Sequence, residues 1–161
     1  RELISRKGIH YIRASRKAAA RIYENGSSFE IGKGNILKEG NTVLLISMGE
    51  VLHDALEAAY ELEKQGISTE VIDMFTVKPL DKDLILKESQ GKKLVITFEN
   101  HSIINGLGSA VADVLAEHAS QIPLRKIGIC DQFGQVGSVG YLKTAYGLTK
   151  QHVIHEVRSL V

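Results

Sequence analysis

Apolar segments of two different periods alternate along most of this chain. One kind of segment is a short, continuous apolar run of strand length. Between these runs, apolar residues recur every three or four positions, as at Leu52, Ala55, Leu56 and Ala59, which is the period of a helix face. Strands joined through helices are connected by crossovers, which is how parallel strands are linked. The alternation therefore predicts an α/β domain in three layers, with a mostly parallel sheet covered on both faces. The strand-length apolar runs occupy residues 42–47, 69–73, 94–98 and 124–129.

Capping residues set the predicted element boundaries. Asp81 stands where an N-cap is expected before a short helix that carries Leu84 and Ile85, and Gly66 stands where a helix C-cap glycine is expected. Two further helices are predicted at about 139–146 and 150–160. Short strands are predicted at 9–15 and 35–38, the first because Tyr11 and Ile12 favour strands.

Composition excludes several classes of protein. The chain has 161 residues, enough for one domain, and a net charge of +1 gives no electrostatic reason to bind nucleic acid or an anionic membrane. No apolar run approaches the roughly 20 residues of a membrane span. The single cysteine, Cys130, forms no internal disulfide, which fits a reducing compartment and leads us to expect a cytoplasmic protein.

Two glycine-containing motifs resemble phosphate-binding loops and fail on inspection. Gly106-Leu107-Gly108 begins like a dinucleotide fingerprint, but Val111 stands at the third glycine position and the loop after Phe98 is too long for the required tight turn. Residues 31–34 lack the first glycine and the Ser or Thr of a P-loop. The glycines at 106 and 108 are therefore interpreted as allowing close packing at the start of a helix.

Glu99 and His101 lie in a polar loop predicted after the strand 94–98, where parallel α/β domains meet ligands and partners. A carboxylate and an imidazole two residues apart could form an acid–base pair, a buried polar network or a subunit contact. No histidine is spaced with a cysteine as zinc ligands are, so no metal ligand is assigned.

Arg13 and Arg16 flank an Ala-Ser pair and are followed by Lys17. Arginines at a strand end suit bidentate contact with a phosphate or carboxylate. The alternative is a solvated linker, and the residues alone do not decide between the two.

Six segments, in order along nearly the whole chain, resemble the transketolase family, specifically its C-terminal domain. The resemblance implies that residues 1–16 are the last strand of a pyrimidine-binding domain, 17–34 a linker and 35–161 the C-terminal domain. It also implies a five-stranded mixed sheet whose first strand, 35–38, is antiparallel. The segments are Gly8–Arg16, Phe29–Lys33, Phe75–Asp81, Glu99–Ser109, Asp131–Gly134 and Tyr146–Thr149.

The resemblance also implies a function. Transketolases move a two-carbon ketol unit between sugar phosphates with thiamine diphosphate and a divalent metal such as Mg²⁺, which are held by the other domains of the enzyme. No catalytic, cofactor-binding or metal-binding residue is therefore expected here. Arg16 matches the family's contact with the substrate phosphate, although Lys17 replaces the proline common after it. The expected partners are a thiamine-binding N-terminal domain or subunit and a second copy in a homodimer, and the chain alone is expected to be inactive.

Three alternatives stay open at this point. Deoxyxylulose-phosphate synthase and the β subunit of a 2-oxoacid dehydrogenase share the architecture, although segments 75–81 and 131–134 favour transketolase. A non-catalytic interaction domain that reuses the fold is the third alternative, because fold alone does not decide function.

Overall fold

A mixed sheet forms the centre of the molecule. The computed structural model describes residues 2–15 and 18–161. Within them lies one sheet of five strands in the order β1-β3-β2-β4-β5. β1 is antiparallel to β3 and the other neighbours are parallel, which confirms the predicted mixed sheet and its antiparallel first strand. The strands are β1 (Asn35–Lys38), β2 (Val43–Ser47), β3 (Thr69–Asp73), β4 (Leu94–Ser102) and β5 (Leu124–Ile129).

Helices cover both faces of the sheet, as the alternating pattern predicts. The helices are α1 (Leu52–Lys64), α2 (Lys82–Ser89), α3 (Leu107–Glu117), α4 (Val139–Ala145) and α5 (Lys150–Leu160). Along β2 the side chains alternate between faces, so that Leu45 joins the apolar cluster under α1 and α5 while Leu44 and Ile46 join the cluster under α2 and α3. Every residue of β2 is buried, as expected for a central strand with helices on both sides.

The predicted caps are confirmed. Asp81 accepts a hydrogen bond from the backbone N–H of Leu84 at 3.2 Å and closes the first turn of α2. Gly66, two residues beyond α1, has φ of 81°, a left-handed conformation that glycine adopts without strain.

Two predictions about strands are wrong, one about the existence of a strand and one about where a strand ends. Residues 9–15 are not a strand but an exposed, irregular segment, because strand-forming side chains make a strand only where a neighbouring strand is present to pair with. β4 continues past Phe98 to Ser102, so half of the predicted polar loop belongs to the sheet. The extension is possible because Ser102 pairs with Ile129 of β5 after a register shift, and the N–H of Ile103 donates to the Ile129 carbonyl at 3.1 Å.

Residues 18–34 form no helix or strand, but they are attached to the domain. Phe29 makes edge-to-face contacts with Tyr23 and Phe75, with ring centroids 4.7 and 5.1 Å apart. The N–H of Gly34 donates to Asp81 at 3.1 Å. These contacts hold the segment against the body of the domain. In the described part of the chain no helix combines the length and apolar character needed to cross a membrane.

Candidate functional site

The carboxyl ends of β2, β3 and β4 meet at one edge of the sheet, which is where open α/β sheets bind ligands. A short 3₁₀ turn, Gly49–Val51, follows β2 there, and residues 13–15 of the N-terminal segment lie against the same edge. Between them is a cleft of about 320 Å³, at the lower end of the range for small-molecule sites. The described residues that line it are Arg13, Ala14, Ser15, Ala19, Met48, Gly49, Glu50, Asn100 and His101.

Glu99 lies beneath this cleft and is fully buried. Its carboxylate accepts hydrogen bonds from the backbone N–H groups of Leu107 at 2.6 Å and Gly108 at 2.8 Å, and it lies 2.5 Å from Nε2 of His101. The two N–H groups belong to the first turn of α3, where a helix has unpaired donors and a partial positive charge. Of the three alternatives for the Glu99–His101 pair, the structure shows a buried polar network, in which Glu99 serves as the cap of α3.

Gly106 and Gly108 are glycines because the capping carboxylate and β5 approach them closely. A Cβ on Gly106 would lie 2.2 Å from Oε2 of Glu99, and one on Gly108 would lie 2.6 Å from Lys126 and Thr97. The interpretation of these glycines as close-packing residues is confirmed. The position that a phosphate takes at a dinucleotide-binding helix is here filled by the protein's own carboxylate.

His101 brings this network to the surface of the cleft. Its side chain is 27% exposed on one side and contacts Glu99 on the other. Nδ1 is buried and has no hydrogen-bond partner in the part of the chain that the structure describes. Glu99 is fixed by two helix N–H groups, and His101 is the member of the pair that lines the cleft.

A second network joins the N-terminal segment to the ends of β2 and β4. Nη2 of Arg13 donates to the backbone oxygen of Asn100 at 3.3 Å and to its Oδ1 at 2.9 Å. Nδ2 of Asn100 donates to Oε2 of Glu50 at 3.1 Å. The candidate phosphate contact Arg16 and its neighbour Lys17 lie outside the described residues, so their predicted roles stay predictions.

Asp73, at the carboxyl end of β3, is a buried acidic residue that the sequence pattern did not indicate. It is 4% exposed and accepts a hydrogen bond from the hydroxyl of Tyr23 at 2.7 Å, while Asn35 donates to the same hydroxyl at 3.2 Å. Burial raises the pKa of Asp73 and, together with the neighbouring carboxylate, raises the pKa of Tyr23. The position of an aspartate directly at a strand's end was the available signal, but its partner lies 50 residues away.

In residues 2–15 and 18–161, no three His, Cys, Asp or Glu side chains come together as metal ligands.

Comparison with known proteins connects this architecture to a family. The family model "Transketolase, C-terminal domain" matches residues 32–153. The chain is 41% identical over 159 residues to the 6-deoxy-6-sulfo-D-fructose transketolase subunit of Clostridium sp. (strain MSTE9), covering 97% of this chain and 49% of that protein. It is also 41% identical over 159 residues to the putative transketolase C-terminal section of Methanocaldococcus jannaschii, covering 98% of this chain and 49% of that protein.

A more distant relative and a solved structure complete the comparison. The 1-deoxy-D-xylulose-5-phosphate synthase of Heliobacterium modesticaldum is 37% identical over 137 residues, covering 85% of this chain and 21% of that protein. The solved structure of a split-gene transketolase, described as an inactive β4 tetramer, superimposes with a TM-score of 0.85 at 39% identity and covers 90% of this chain and 47% of that one. The chain thus spans about half the length of the two transketolase relatives. It belongs to the transketolase C-terminal domain family.

Proposed function

We propose that this chain supplies the C-terminal section of a thiamine-diphosphate-dependent transketolase, which transfers two-carbon ketol units between sugar phosphates. The observation that carries the proposal is the 41% identity, over nearly the whole chain, to a protein named as a transketolase subunit. The second relative, named as a transketolase C-terminal section, supports the same division of the enzyme. Transfer of this function to the present chain rests on the shared family and the length of the match.

The cofactors belong, in this proposal, to another section of the enzyme. A thiamine-binding N-terminal domain or subunit holds thiamine diphosphate and the divalent metal, and this chain contributes assembly and the floor of the cleft. Residues 1–16 end the pyrimidine-binding domain, 17–34 are the linker and 35–161 are the C-terminal domain. Exposed apolar side chains of the N-terminal segment support this, because Ile9, Tyr11 and Ile12 are 69–103% exposed and a partner surface would cover them.

Arg16 is the proposed contact with the sugar phosphate. We also propose that the chain forms a homodimer and that the enzyme is cytoplasmic. The similar split-gene transketolase is a β4 tetramer, which supports self-association of such sections. Because that tetramer is described as inactive, it also supports the proposal that this section has no activity alone.

The test is reconstitution with the thiamine-binding section. The complete assembly should transfer ketol units from a ketose phosphate to an aldose phosphate, whereas this chain alone should neither catalyse the transfer nor bind thiamine diphosphate in a calorimetric titration. The substrate panel should include 6-deoxy-6-sulfofructose, because a 41% identical relative is named for it. Tight binding of thiamine diphosphate by this chain alone would refute the placement of the cofactor site.

Arg16→Ala in the complete enzyme tests the phosphate contact. Loss of a charged hydrogen bond should raise KM for phosphorylated substrates by about tenfold. Lys17→Ala is the matched control, since it removes the neighbouring positive charge, and it should change KM by less than about threefold. An unchanged KM in Arg16→Ala would remove Arg16 from the site.

A second candidate activity is deoxyxylulose-phosphate synthesis. It is favoured by the 37% identity over 137 residues to a synthase of that name. Formation of deoxyxylulose phosphate by the complete assembly, without ketol transfer between sugars, would establish it. If the assembly showed neither activity, the chain would be assigned to the class of interaction domains.

A further inference from the structure

The Arg13–Asn100–Glu50 network has a defined direction. A guanidinium can only donate and a carboxylate can only accept, so the amide between them must present Oδ1 to Arg13 and Nδ2 to Glu50. Both conditions are met, with distances of 2.9 Å on the arginine side and 3.1 Å on the glutamate side. By accepting from Nδ2, Glu50 therefore orients the Asn100 amide so that its Oδ1 atom contacts Arg13.

The two supporting residues are held by the sheet. Asn100 lies on β4 and its backbone oxygen receives a second bond from Nη2 of Arg13. Glu50 lies in the 3₁₀ turn that directly follows β2, which is paired to β4. Arg13, by contrast, lies in an exposed and irregular segment, so the sheet determines its position through this contact.

The segment held in this way forms one wall of the cleft. Arg13, Ala14 and Ser15 line it together with Glu50 and Asn100. In the sequence, the proposed phosphate contact Arg16 lies only three positions after Arg13. The contact that holds Arg13 is therefore separated from the proposed phosphate contact by a very short length of chain.

We propose that Asn100, oriented by Glu50, is a positioning residue that holds Arg13 against the sheet and thereby sets how the cleft binds the substrate phosphate. The proposal rests on the function proposed above. It assigns no chemical step to Asn100, which acts through Arg13. In the complete enzyme the exposed apolar side chains beside Arg13 are expected to be covered, and the contact is stronger when water is excluded from it.

The test uses the complete enzyme and two substrates, a phosphorylated aldose and an acceptor without phosphate. Asn100→Ala removes the amide and should raise KM for the phosphorylated acceptor about tenfold, with kcat and the KM of the unphosphorylated acceptor changed less than about twofold. Asn41→Ala is the matched control, because Asn41 is an exposed asparagine in the turn before β2 at the opposite edge, and it should change neither value.

A paired substitution distinguishes positioning from general stability. Asn100→Asp alone keeps an acceptor for Arg13 but places a carboxylate against Glu50. Combining it with Glu50→Gln reverses the donor and the acceptor and restores both contacts, so KM for the phosphorylated acceptor should return to within about twofold of wild type. The restored variant also keeps the test informative if Asn100→Ala fails to assemble.

The outcomes separate this inference from the proposed function. An inactive wild-type assembly would overturn the function, whatever the variants do. An active wild type in which Asn100→Ala leaves the phosphorylated KM unchanged, or raises both KM values equally, would overturn the positioning role and leave the function intact. Failure of the paired substitution to restore KM would also overturn it.

Discussion

Two fully buried glutamates, one at each end of the sheet, are held in different ways. Glu99, at the carboxyl end, accepts from two backbone N–H groups of α3 and contacts His101. Glu70, near the amino end of β3, is paired with Lys92 at 2.5 Å, and its Oε1 has no partner among the described residues. A buried glutamate is thus held by fixed backbone dipoles at one end of the sheet, and by a single long side chain that pairs with only one of its two oxygens at the other.

The difference distinguishes the end of the sheet that borders the cleft from the opposite end, where no side chain of the pair faces the cleft. Backbone N–H groups cost no side-chain entropy, so the buried carboxylate of Glu99 can cap α3 while His101 remains 27% exposed. Lys92 is 7% exposed and also donates to the carbonyl of Gly40, which ties the β1–β2 turn, β3 and the start of β4 together. Burial raises the pKa of Glu70, which shows that Lys92 offsets only part of the desolvation cost.

Lys92→Met should have the largest effect, because it leaves Glu70 buried without its partner. The free energy of unfolding should fall by about 4 kcal/mol at pH 7 and by less near about pH 4.5, where Glu70 can be neutral. Chemical denaturation of the chain at the two pH values measures this. Glu70→Gln combined with Lys92→Met is the control and should recover most of the loss. A cost below about 1 kcal/mol would show that the stability of this end of the sheet does not depend on the Glu70–Lys92 pair.

Gly106→Ala tests the close packing at the carboxyl end of the sheet, where Glu99 caps α3. Its Cβ would lie 2.2 Å from Oε2 of Glu99, so we expect a loss of about 3 kcal/mol in thermal or urea unfolding. Gly40→Ala makes the corresponding test at the other edge and should cost at least as much, because its Cβ would lie 2.3 Å from the backbone nitrogen of Glu70. Gly140→Ala, on α4 with nothing within 4 Å, is the control and should be neutral or slightly stabilising. Equal stability of all three variants would contradict the packing argument.

Glu99→Gln keeps the shape of the cap but replaces one acceptor with an amino group facing a helix N–H. The expected loss is about 2 kcal/mol in urea unfolding. Glu117→Gln, on the exposed surface of the same helix in an ion pair with Lys82, should cost less than about 0.5 kcal/mol. If the two substitutions cost the same, Glu99 would have no capping role.

Asp73→Asn should produce the smallest effect, and in the opposite direction. Burial raises the pKa of Asp73, so the folded state binds the proton more tightly and wild-type stability falls as the pH rises from 3.8 through the raised pKa. The asparagine can still accept from Tyr23 without a charge. We therefore expect a modest gain in unfolding free energy at about pH 7 that disappears toward about pH 3.

Tyr23→Phe is the reference for this comparison. It removes the donor to Asp73 and should destabilise the chain by about 1–2 kcal/mol at pH 7. A loss in Asp73→Asn as large as in Tyr23→Phe would show that the charge of Asp73, rather than its acceptor oxygen, holds residues 18–34 in place.

Features that depend on neighbouring residues were predictable from the sequence. The strand at 124–129, the cap at Asp81 and the glycines at 106 and 108 are as predicted, because period, cap and loop chemistry are local. The extension of β4 to Ser102 was missed because Glu99, Asn100 and His101 are polar and resemble a loop. The extension depends on the pairing of Ser102 with Ile129 of β5, a strand that begins more than twenty positions away.

The site divides in the same way. The chemistry of Glu99 and His101 was visible as a pattern, but the capping role of Glu99 followed only when α3 was placed against β4. Tyr23 and Asp73 are 50 residues apart, and Arg13 and Asn100 are 87 apart, so nothing in the sequence joined them.

By itself, the sequence determined the α/β class, the mixed sheet through its family resemblance, and most element boundaries. An element that buries one face needs apolar residues at the spacing of a helix or a strand, and this spacing can be read directly from the sequence. The tertiary structure alone decided that a carboxylate fills the phosphate position at α3, that Glu70 meets Lys92, and that Asn100 holds Arg13. These contacts arise when separate elements meet in space, where desolvation and hydrogen-bond geometry select the partner, and sequence spacing carries no record of that choice.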